Sequence, residues 1–245
     1  MNSKKLRILV VNDDGIASEG LLRLAEAACA LGDVWVAAPA RQCSGMSQRI
    51  TIFDELPVEP RPFPIPVRGA WAVDGTPADC VKAAFNFLLP EPPELVLSGI
   101  NNGFNAGFDI AYSGTVGAAM EGLMKGAAAI AFSNAWGGLW DTAEEYLPGL
   151  LAELAAAPLP RGRMWNVNFP GCARSDCRGV LRGRAIAPCQ LYQDIYTRED
   201  RPGGGFVLRN ATRPLDPALA EPGSDIAAVL GGYVSVGEIA CRVLG

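Results

Sequence analysis

The sequence predicts an α/β fold: a Rossmann-like, mostly parallel sheet with flanking helices, followed by a β-rich C-terminal arm. Three observations predict it. Short apolar strands alternate with helical patterns through the first two thirds of the chain. The first strand, Ile8–Val11, is a continuous apolar run, which is typical of a strand covered on both faces. From about Cys177 onward, short extended segments and loops replace this alternation.

The elements follow one another in a regular order. After the first strand, Gly20–Leu31 carries apolar residues at helical spacing, and Gly32 is expected to end that helix. A second apolar strand, Val34–Ala38, comes next, and the helix Pro77–Leu89 has proline near its first position. The remaining predicted elements are the strand Leu95–Leu97, the helix Thr115–Lys125, the strand Ala127–Phe132, the helix Thr142–Ala157 and the strand Val167–Phe169.

Two stretches interrupt this pattern and define the predicted domain organisation. Residues 41–69 are rich in proline and form an extended excursion from a core spanning residues 1–176. Residues 177–245 form the C-terminal arm, in which the glycine-rich segment Arg201–Phe206 is predicted to be a flexible turn. Exposed strands need a partner edge, so the arm is expected to serve in oligomerisation.

Composition excludes several classes of function. The chain has 245 residues, is 49% hydrophobic and carries a formal net charge of −5 without a long basic run, which argues against binding to nucleic acid polymers or anionic membranes. No apolar stretch reaches the roughly 18 residues that a membrane span needs. The apolar run near the start ends at Asn12, so it is interpreted as a strand rather than a signal peptide.

The chain contains no histidine, which excludes Ser-His-Asp and Cys-His catalysis, histidine zinc sites and phosphohistidine chemistry. Catalysis would therefore use carboxylates, hydroxyls, amides, lysine or arginine, together with a hard metal ion. Its seven cysteines are scattered and form no C-x-x-C pair, which favours a cytoplasmic protein with free thiols.

Polar segments follow the predicted strands, and in an open parallel sheet such segments meet at one edge, where ligands bind. They are Asn12–Gly15, Ala40–Ser47, Ser98–Asp109 and Tyr112–Gly122. Asp13 and Asp14 have two interpretations: they form a turn, as Asn-Asp-Gly runs often do, or they hold Mg²⁺ or Mn²⁺.

The other two segments also have a structural and a functional interpretation. The segment "SGINNGFNAG" is either a flexible loop or a polar shelf on which Asn101 offers a carbonyl oxygen to a metal. In "YSGTVGAAMEG", Ser113 or Thr115 caps a helix, and the same Ser-Gly-Thr entry, with Gly114, can present hydroxyl and N–H groups to phosphate.

Seven separated motifs occur in an order that resembles the survival-protein SurE family of 5′/3′-nucleotidases: "ILVVNDDG", "AP-x-R-x-x-SG", "VDGTPADCV", "LVLSGIN-x-G-x-N-x-G", "YSGTVGAAMEG", "NVNFP" and "GSD…GYVSV". The resemblance implies a phosphatase that uses one divalent cation, Mg²⁺ or Mn²⁺, to release phosphate from nucleoside monophosphates. It also implies a homodimer or homotetramer assembled through the C-terminal arm. The metal ligands implied are Asp13, Asp14, Ser44 and Asn101.

The chain departs from the family pattern at several positions. Ala40 stands where Asp is usual, and Gln42-Cys43 where Asn-Arg is frequent. Ala17 and Ala227 stand where the family often has histidine. None of the four implied metal positions is lost, so these changes bear on substrate range and assembly more than on the metal.

The resulting mechanistic hypothesis is metal-assisted hydrolysis. The cation would polarise a phosphoryl oxygen and activate a water, and Asp13 or Asp14 would accept a proton from that water. The phosphate would be held by Asn101, Ser113, Gly114 and Thr115, with Arg41 as a weaker candidate for a charge contact.

Three alternatives remain open at this point. A haloacid-dehalogenase phosphatase uses a nucleophilic Asp two residues before a second Asp, but Asn12 occupies that position here. A non-enzymatic nucleotide or metal sensor could use the same fold. The substrate could also be another small phosphate ester or a short polyphosphate.

Overall fold

The fold is a nine-stranded, mostly parallel sheet with helices on both faces, as the sequence predicts. It is seen in a computed structural model, which describes residues 5–157 and 159–244. The strands are β1 (Leu6–Val11), β2 (Gly32–Pro39), β3 (Val58–Pro60), β4 (Gly69–Val73), β5 (Leu95–Asn102), β6 (Ala128–Asn134), β7 (Arg163–Phe169), β8 (Val180–Arg184), β9 (Tyr192–Gln193), β10 (Tyr196–Asp200), β11 (Phe206–Asn210), β12 (Arg213–Pro214) and β13 (Val234–Ala240). The α-helices are α1 (Glu19–Ala28), α2 (Pro77–Ala83), α3 (Gly114–Met124), α4 (Asp141–Ala156) and α5 (Asp225–Leu230).

The main sheet has the strand order β3-β4-β2-β1-β5-β6-β7-β13-β8. Its six central strands, from β4 to β7, are mutually parallel, whereas β3 and β13 run antiparallel to β4 and β7. The chain adds strands on one side of β1 and then returns to add β5 on the other side. The strand order therefore reverses between β1 and β5.

The strand β1 is covered on both faces, which confirms the interpretation of its apolar run. Ile8 and Val10 lie in the core cluster that includes the apolar residues of α1 and α4. Leu9 and Val11 lie in a second cluster with residues of α2 and α3 on the opposite face. All four side chains are fully buried.

The helix α1 ends earlier than expected, at Ala28 rather than Leu31, and the role assigned to Gly32 as a helix stop is wrong. Gly32 is the first residue of β2, and a Cβ built on it would lie only 2.1 Å from the carbonyl oxygen of Leu6. The glycine is therefore required by the close approach of β1 and β2.

The other central elements match their predicted positions with changes at their ends. The helix predicted at Pro77–Leu89 is α-helical to Ala83 and then widens into a π-helical turn, and Thr76 caps it in a capping box with Asp79. The strand β5 continues to Asn102 instead of ending at Leu97, with an irregularity between Ser98 and Asn101.

The C-terminal segment has a more varied structure than its sequence pattern indicated. Its strands β8 and β13 complete the main sheet, and α5 lies between them in sequence. The pairs β9–β12 and β10–β11 form two small separate sheets. The predicted boundary between residues 176 and 177, and the role of this segment in assembly, stay predictions.

Candidate functional site

The predicted polar segments meet where the strand order reverses, between the carboxyl ends of β1 and β5. Asp13 and Asp14 follow β1 after Asn12, and Asn101 and Asn102 are the last residues of β5. In open α/β sheets this reversal creates a crevice, because the crossover helices leave in opposite directions.

The turn after β1 is stabilised by Asn12 rather than by the two aspartates. The amide oxygen of Asn12 accepts from the Gly15 N–H at 3.2 Å, and its Nδ2 donates to the Gly15 carbonyl at 3.0 Å and to Ser18 Oγ at 2.5 Å. Gly15 has a φ of +101°, which favours glycine at this position. The side chains of Asp13 and Asp14 are therefore left for other contacts.

Asp13 is almost completely buried, with 3% of its surface exposed. Its Oδ1 accepts a hydrogen bond of 2.5 Å from the Thr115 hydroxyl. Burial raises the pKa of Asp13 to about 6, and the charge of Asp14 adds to this rise, whereas the Thr115 hydrogen bond opposes it. The helix α3 can approach so closely because its first residue is glycine: a Cβ on Gly114 would lie 2.9 Å from the Cβ of Asp13.

Asp14 is half-buried and has different hydrogen-bond partners from Asp13. Its Oδ2 accepts from the Asn102 N–H at 3.0 Å, and Gln42 Nε2 lies 3.4 Å from its Oδ1. Burial raises the pKa of this carboxyl, while the two donors act in the opposite direction. Asp14 lines a cavity of about 380 Å³, and Asp13 lines a larger one beside it; Asn102 lies on the wall of both.

The larger cavity, of about 630 Å³, collects four of the predicted site residues from four separate segments. They are Asp13, Ser44, Asn101 and Ser113. Its full lining is Asp13, Ser44, Gly45, Asn101, Asn102, Gly103, Phe104, Asn105, Asp109, Tyr112, Ser113, Trp136, Tyr192, Thr212 and Pro214.

Three other predicted residues are placed differently. Thr115 is fully buried behind Asp13, to which its hydroxyl donates, and Gly114 packs against the same carboxylate. Neither is part of the cavity lining. Arg41 is exposed and forms an ion pair of 2.6 Å with Asp74.

Hydrogen bonds orient the side chains that do line the cavity. Asn101 Nδ2 donates to the Gly103 carbonyl at 2.8 Å, which fixes the orientation of its amide plane. Ser113 is the N-cap of α3, and its Oγ accepts from the Val116 N–H at 3.0 Å, so the capping interpretation is confirmed. The loop bearing Ser44 is attached to the turn after β1 by a hydrogen bond of 2.7 Å from the Cys43 N–H to the Asp13 carbonyl.

Sequence reasoning missed the aromatic side chains of the cavity lining. They are Phe104, Tyr112, Trp136 and Tyr192, and we call them the aromatic wall. Tyr192 comes from the C-terminal segment, whereas Phe104 and Tyr112 lie within the segments Ser98–Asp109 and Tyr112–Gly122, in which only polar residues and glycine are predicted to bind. Their isolated positions in the sequence give no periodic signal that could have identified them.

Two buried or half-buried carboxylates attach the C-terminal segment to this wall. Asp109 Oδ2 accepts from the N–H groups of Leu191 and Tyr192 at 2.8 and 3.1 Å. Asp225 accepts from the N–H groups of Gly107 and Ala187, each at 2.9 Å. Burial raises the pKa of both carboxyls, and these backbone donors limit the rise.

The donor set at the sheet edge fits a hard divalent cation better than a softer metal. Among residues 5–157 and 159–244, no group of three or more His, Cys, Asp or Glu is arranged to hold a metal. The edge instead offers two carboxylates with neutral hydroxyl and amide oxygens. Mg²⁺ is commonly bound through one or two carboxylates while keeping several waters, and Mn²⁺ accepts similar oxygen ligands.

None of the described helices is both long and apolar enough to cross a bilayer.

Comparisons with known proteins agree with the architecture. The family model of the survival protein SurE matches residues 8–189. The 5′-nucleotidase SurE of Brucella canis is 39% identical over 242 residues, covering 94% of this chain and 91% of the relative, and the protein of the same name from Brucella melitensis gives the same values. The crystal structure of the SurE protein from Aquifex aeolicus superposes with a TM-score of 0.82 at 34% identity, covering 97% of this chain and 94% of that one. The chain therefore belongs to the survival protein SurE family.

Proposed function

We propose that this protein is a divalent-metal-dependent phosphohydrolase of the 5′-nucleotidase type, which releases phosphate from nucleoside monophosphates. One observation carries the proposal: Asp13, Ser44, Asn101 and Ser113 come from four segments and line one cavity at the reversal of strand order. Membership of the SurE family and relatives named 5′-nucleotidase support the reaction class.

The residues that would hold the cation are Asp13, Asp14, Ser44 and Asn101. When bound, the cation supplies positive charge that stabilises the developing phosphoryl charge and lowers the pKa of a bound water. Asp13 or Asp14 would accept the proton from the attacking water at a carboxylate oxygen.

The N-terminus of α3 supports phosphate binding next to these carboxylates. The Ser113 oxygen accepts from Val116, so its own O–H remains available to donate to a phosphate oxygen. The N-terminal end of a helix also carries partial positive charge, which favours an anion there. Gly114 contributes chiefly by allowing α3 to pack against Asp13, and Thr115 by donating to that carboxylate.

Asn12 argues against the haloacid-dehalogenase alternative. The position two residues before Asp14 would have to present a nucleophilic carboxylate, but it carries a fully buried amide that is engaged with Gly15 and Ser18. We therefore expect no covalent phosphoenzyme.

The experiment that tests the function measures phosphate release from nucleoside 5′- and 3′-monophosphates, glycerol phosphate and tripolyphosphate, with Mg²⁺, Mn²⁺ or chelator. We expect multiple turnovers on a nucleoside monophosphate, and we expect turnover to stop in chelator. Metal and nucleotide binding without turnover would instead establish a sensor. A clear preference for tripolyphosphate or glycerol phosphate would reassign the substrate.

We also propose that the chain forms a homodimer or homotetramer through residues 177–245. The hairpin β10–β11 supports this, because it forms a separate two-stranded sheet whose Tyr196, Phe206 and Leu208 are exposed. A cytoplasmic location stays a prediction from the cysteine pattern.

A further inference from the structure

The aromatic wall of the larger cavity consists of Phe104, Tyr112, Trp136 and Tyr192. Trp136 is 72% exposed and Tyr112 is 57% exposed. Large aromatic side chains bury much apolar surface when they find a partner, so two of them exposed on one concave surface indicate a binding function. The proposed metal and phosphate chemistry uses none of the four.

Gly103 places this wall next to the proposed phosphate end. A Cβ built on Gly103 would lie 3.5 Å from Asn101 Nδ2, 3.7 Å from Trp136 Cε3 and 3.9 Å from Tyr192 Oη. Asn101 and the two aromatic side chains therefore converge on one glycine. A group attached directly to a phosphate held near Asn101 would reach the aromatic wall.

Hydrogen bonds fix Tyr192 and the backbone next to Trp136. Tyr192 Oη accepts from the Phe104 N–H at 3.1 Å, and the Tyr192 N–H donates to Asp109. Next to Trp136, the Gly137 N–H donates to the Asn102 side-chain oxygen at 2.8 Å. A side chain that is already held in place, as Tyr192 is, loses little conformational freedom when a ligand binds, which favours affinity.

We infer that this wall stacks on the base of the nucleotide, with Trp136 and Tyr192 as the main specificity-determining residues. The inference rests on the proposed function for the identity of the phosphate end. Bases present a flat π-face that stacks on aromatic side chains, and this contact needs neither the phosphate nor the metal. The free nucleoside, which is the product of the reaction, therefore binds the same cavity and competes with the substrate.

The test measures adenosine binding to the full chain in chelator by calorimetry or equilibrium dialysis, so that neither phosphate nor metal contributes. Trp136→Leu should weaken adenosine binding about tenfold or more, as expected for the loss of base stacking. The matched control is Phe87→Leu, because Phe87 is 87% exposed and lies outside the cavity lining. The affinity of this control variant for adenosine should equal that of the parent. Tyr192→Leu should also weaken binding, whereas Tyr192→Phe, which keeps the ring, should retain most of it.

A kinetic measurement completes the test. For Trp136→Leu, the ratio of kcat/KM for AMP to kcat/KM for glycerol phosphate should fall about tenfold, mainly through the KM for AMP, and adenosine should inhibit the parent competitively. If Trp136→Leu and Phe87→Leu bind adenosine equally well, the inference is overturned, whatever the phosphatase activity. If Trp136→Leu changes only the oligomeric state, the wall is a subunit contact and the inference also fails. If adenosine binding depends on Trp136 but no phosphate is released from any ester, the inference that the aromatic wall binds the base is supported and the proposed function is refuted.

Discussion

Replacing Asp13 by asparagine should make the metal-free protein more stable at neutral pH. Asp13 is 3% exposed, and burial, reinforced by the neighbouring Asp14 charge, raises its pKa from 3.8 to about 6. At pH 7 the folded protein must therefore keep a charge that its surroundings disfavour. Asparagine has nearly the shape of the protonated acid, and its oxygen can still accept the hydrogen bond from Thr115.

The size and sign of the effect follow from linkage between proton binding and folding. The folded-state pKa lies above the unfolded value, so the stabilising effect of the bound proton is fully present below about pH 3.8 and is lost as pH rises through about 6. A separation of about two pKa units corresponds to about 3 kcal/mol at neutral pH. The free energy of unfolding of Asp13→Asn should thus exceed the parent's by about 3 kcal/mol at about pH 7.5, and by little at about pH 4.

The assay is urea unfolding of the parent and Asp13→Asn in chelator at both pH values. Asp54→Asn serves as the control, because Asp54 is exposed and its replacement should change stability by no more than about 0.5 kcal/mol. Saturating Mn²⁺ should then stabilise the parent far more than the variant, since a ligand that binds only the folded state stabilises it. The reasoning is refuted if Asp13→Asn unfolds at lower urea than the parent in chelator at about pH 7.5.

Four further predictions concern metal, charge, packing and assembly. Exhaustive chelation should abolish phosphate release and Mn²⁺ or Mg²⁺ should restore it; full activity in chelator would contradict the mechanism. Asp14→Asn should abolish turnover, but its melting temperature in chelator should be no lower than the parent's, because an amide oxygen can still accept from the Asn102 N–H. A lower melting temperature with an unchanged metal response would make Asp14 a structural residue. Asp225→Ala should destabilise the fold in urea unfolding, because each buried backbone donor left without a partner costs about 1–3 kcal/mol, and an unchanged midpoint would exclude this role. Light scattering at micromolar concentration should give at least twice the mass of one chain, and a monomer would refute assembly through residues 177–245.

The sequence predicts the structure best where a local pattern of apolar or polar residues also determines which side chains are buried. The apolar run of β1 requires cover on both faces, and α1 and α2 supply it as expected. The rule that ligands bind beyond the carboxyl ends of parallel strands brought Asp13, Ser44, Asn101 and Ser113 to one edge, and all four line the same cavity. Their roles toward metal and phosphate stay predictions.

Sequence reasoning was weaker where long-range contacts decide the structure. Nothing local shows that Asp109 accepts from the backbone of residues 191 and 192, more than 80 positions later. Likewise, the pattern of Val234–Ala240 cannot show that β13 enters the main sheet between β7 and β8. The motif predicts that Thr115 binds phosphate, but its burial behind Asp13 depends on how closely α3 packs against the turn after β1.

The position of β13 has a consequence for how the protein is made. Because β13 separates β7 from β8, β8 has no neighbour in the main sheet until the last strand has been synthesised. The parallel strands around Asp13 and Asn101 can pair once β6 has left the ribosome, since domains tend to fold as their N-terminal parts emerge. Tyr192 and the Asp225 contacts of its segment are added only when the C-terminal segment has been synthesised. A nascent or prematurely terminated chain would thus carry the carboxylates of the cavity together with Phe104, Tyr112 and Trp136, but not Tyr192.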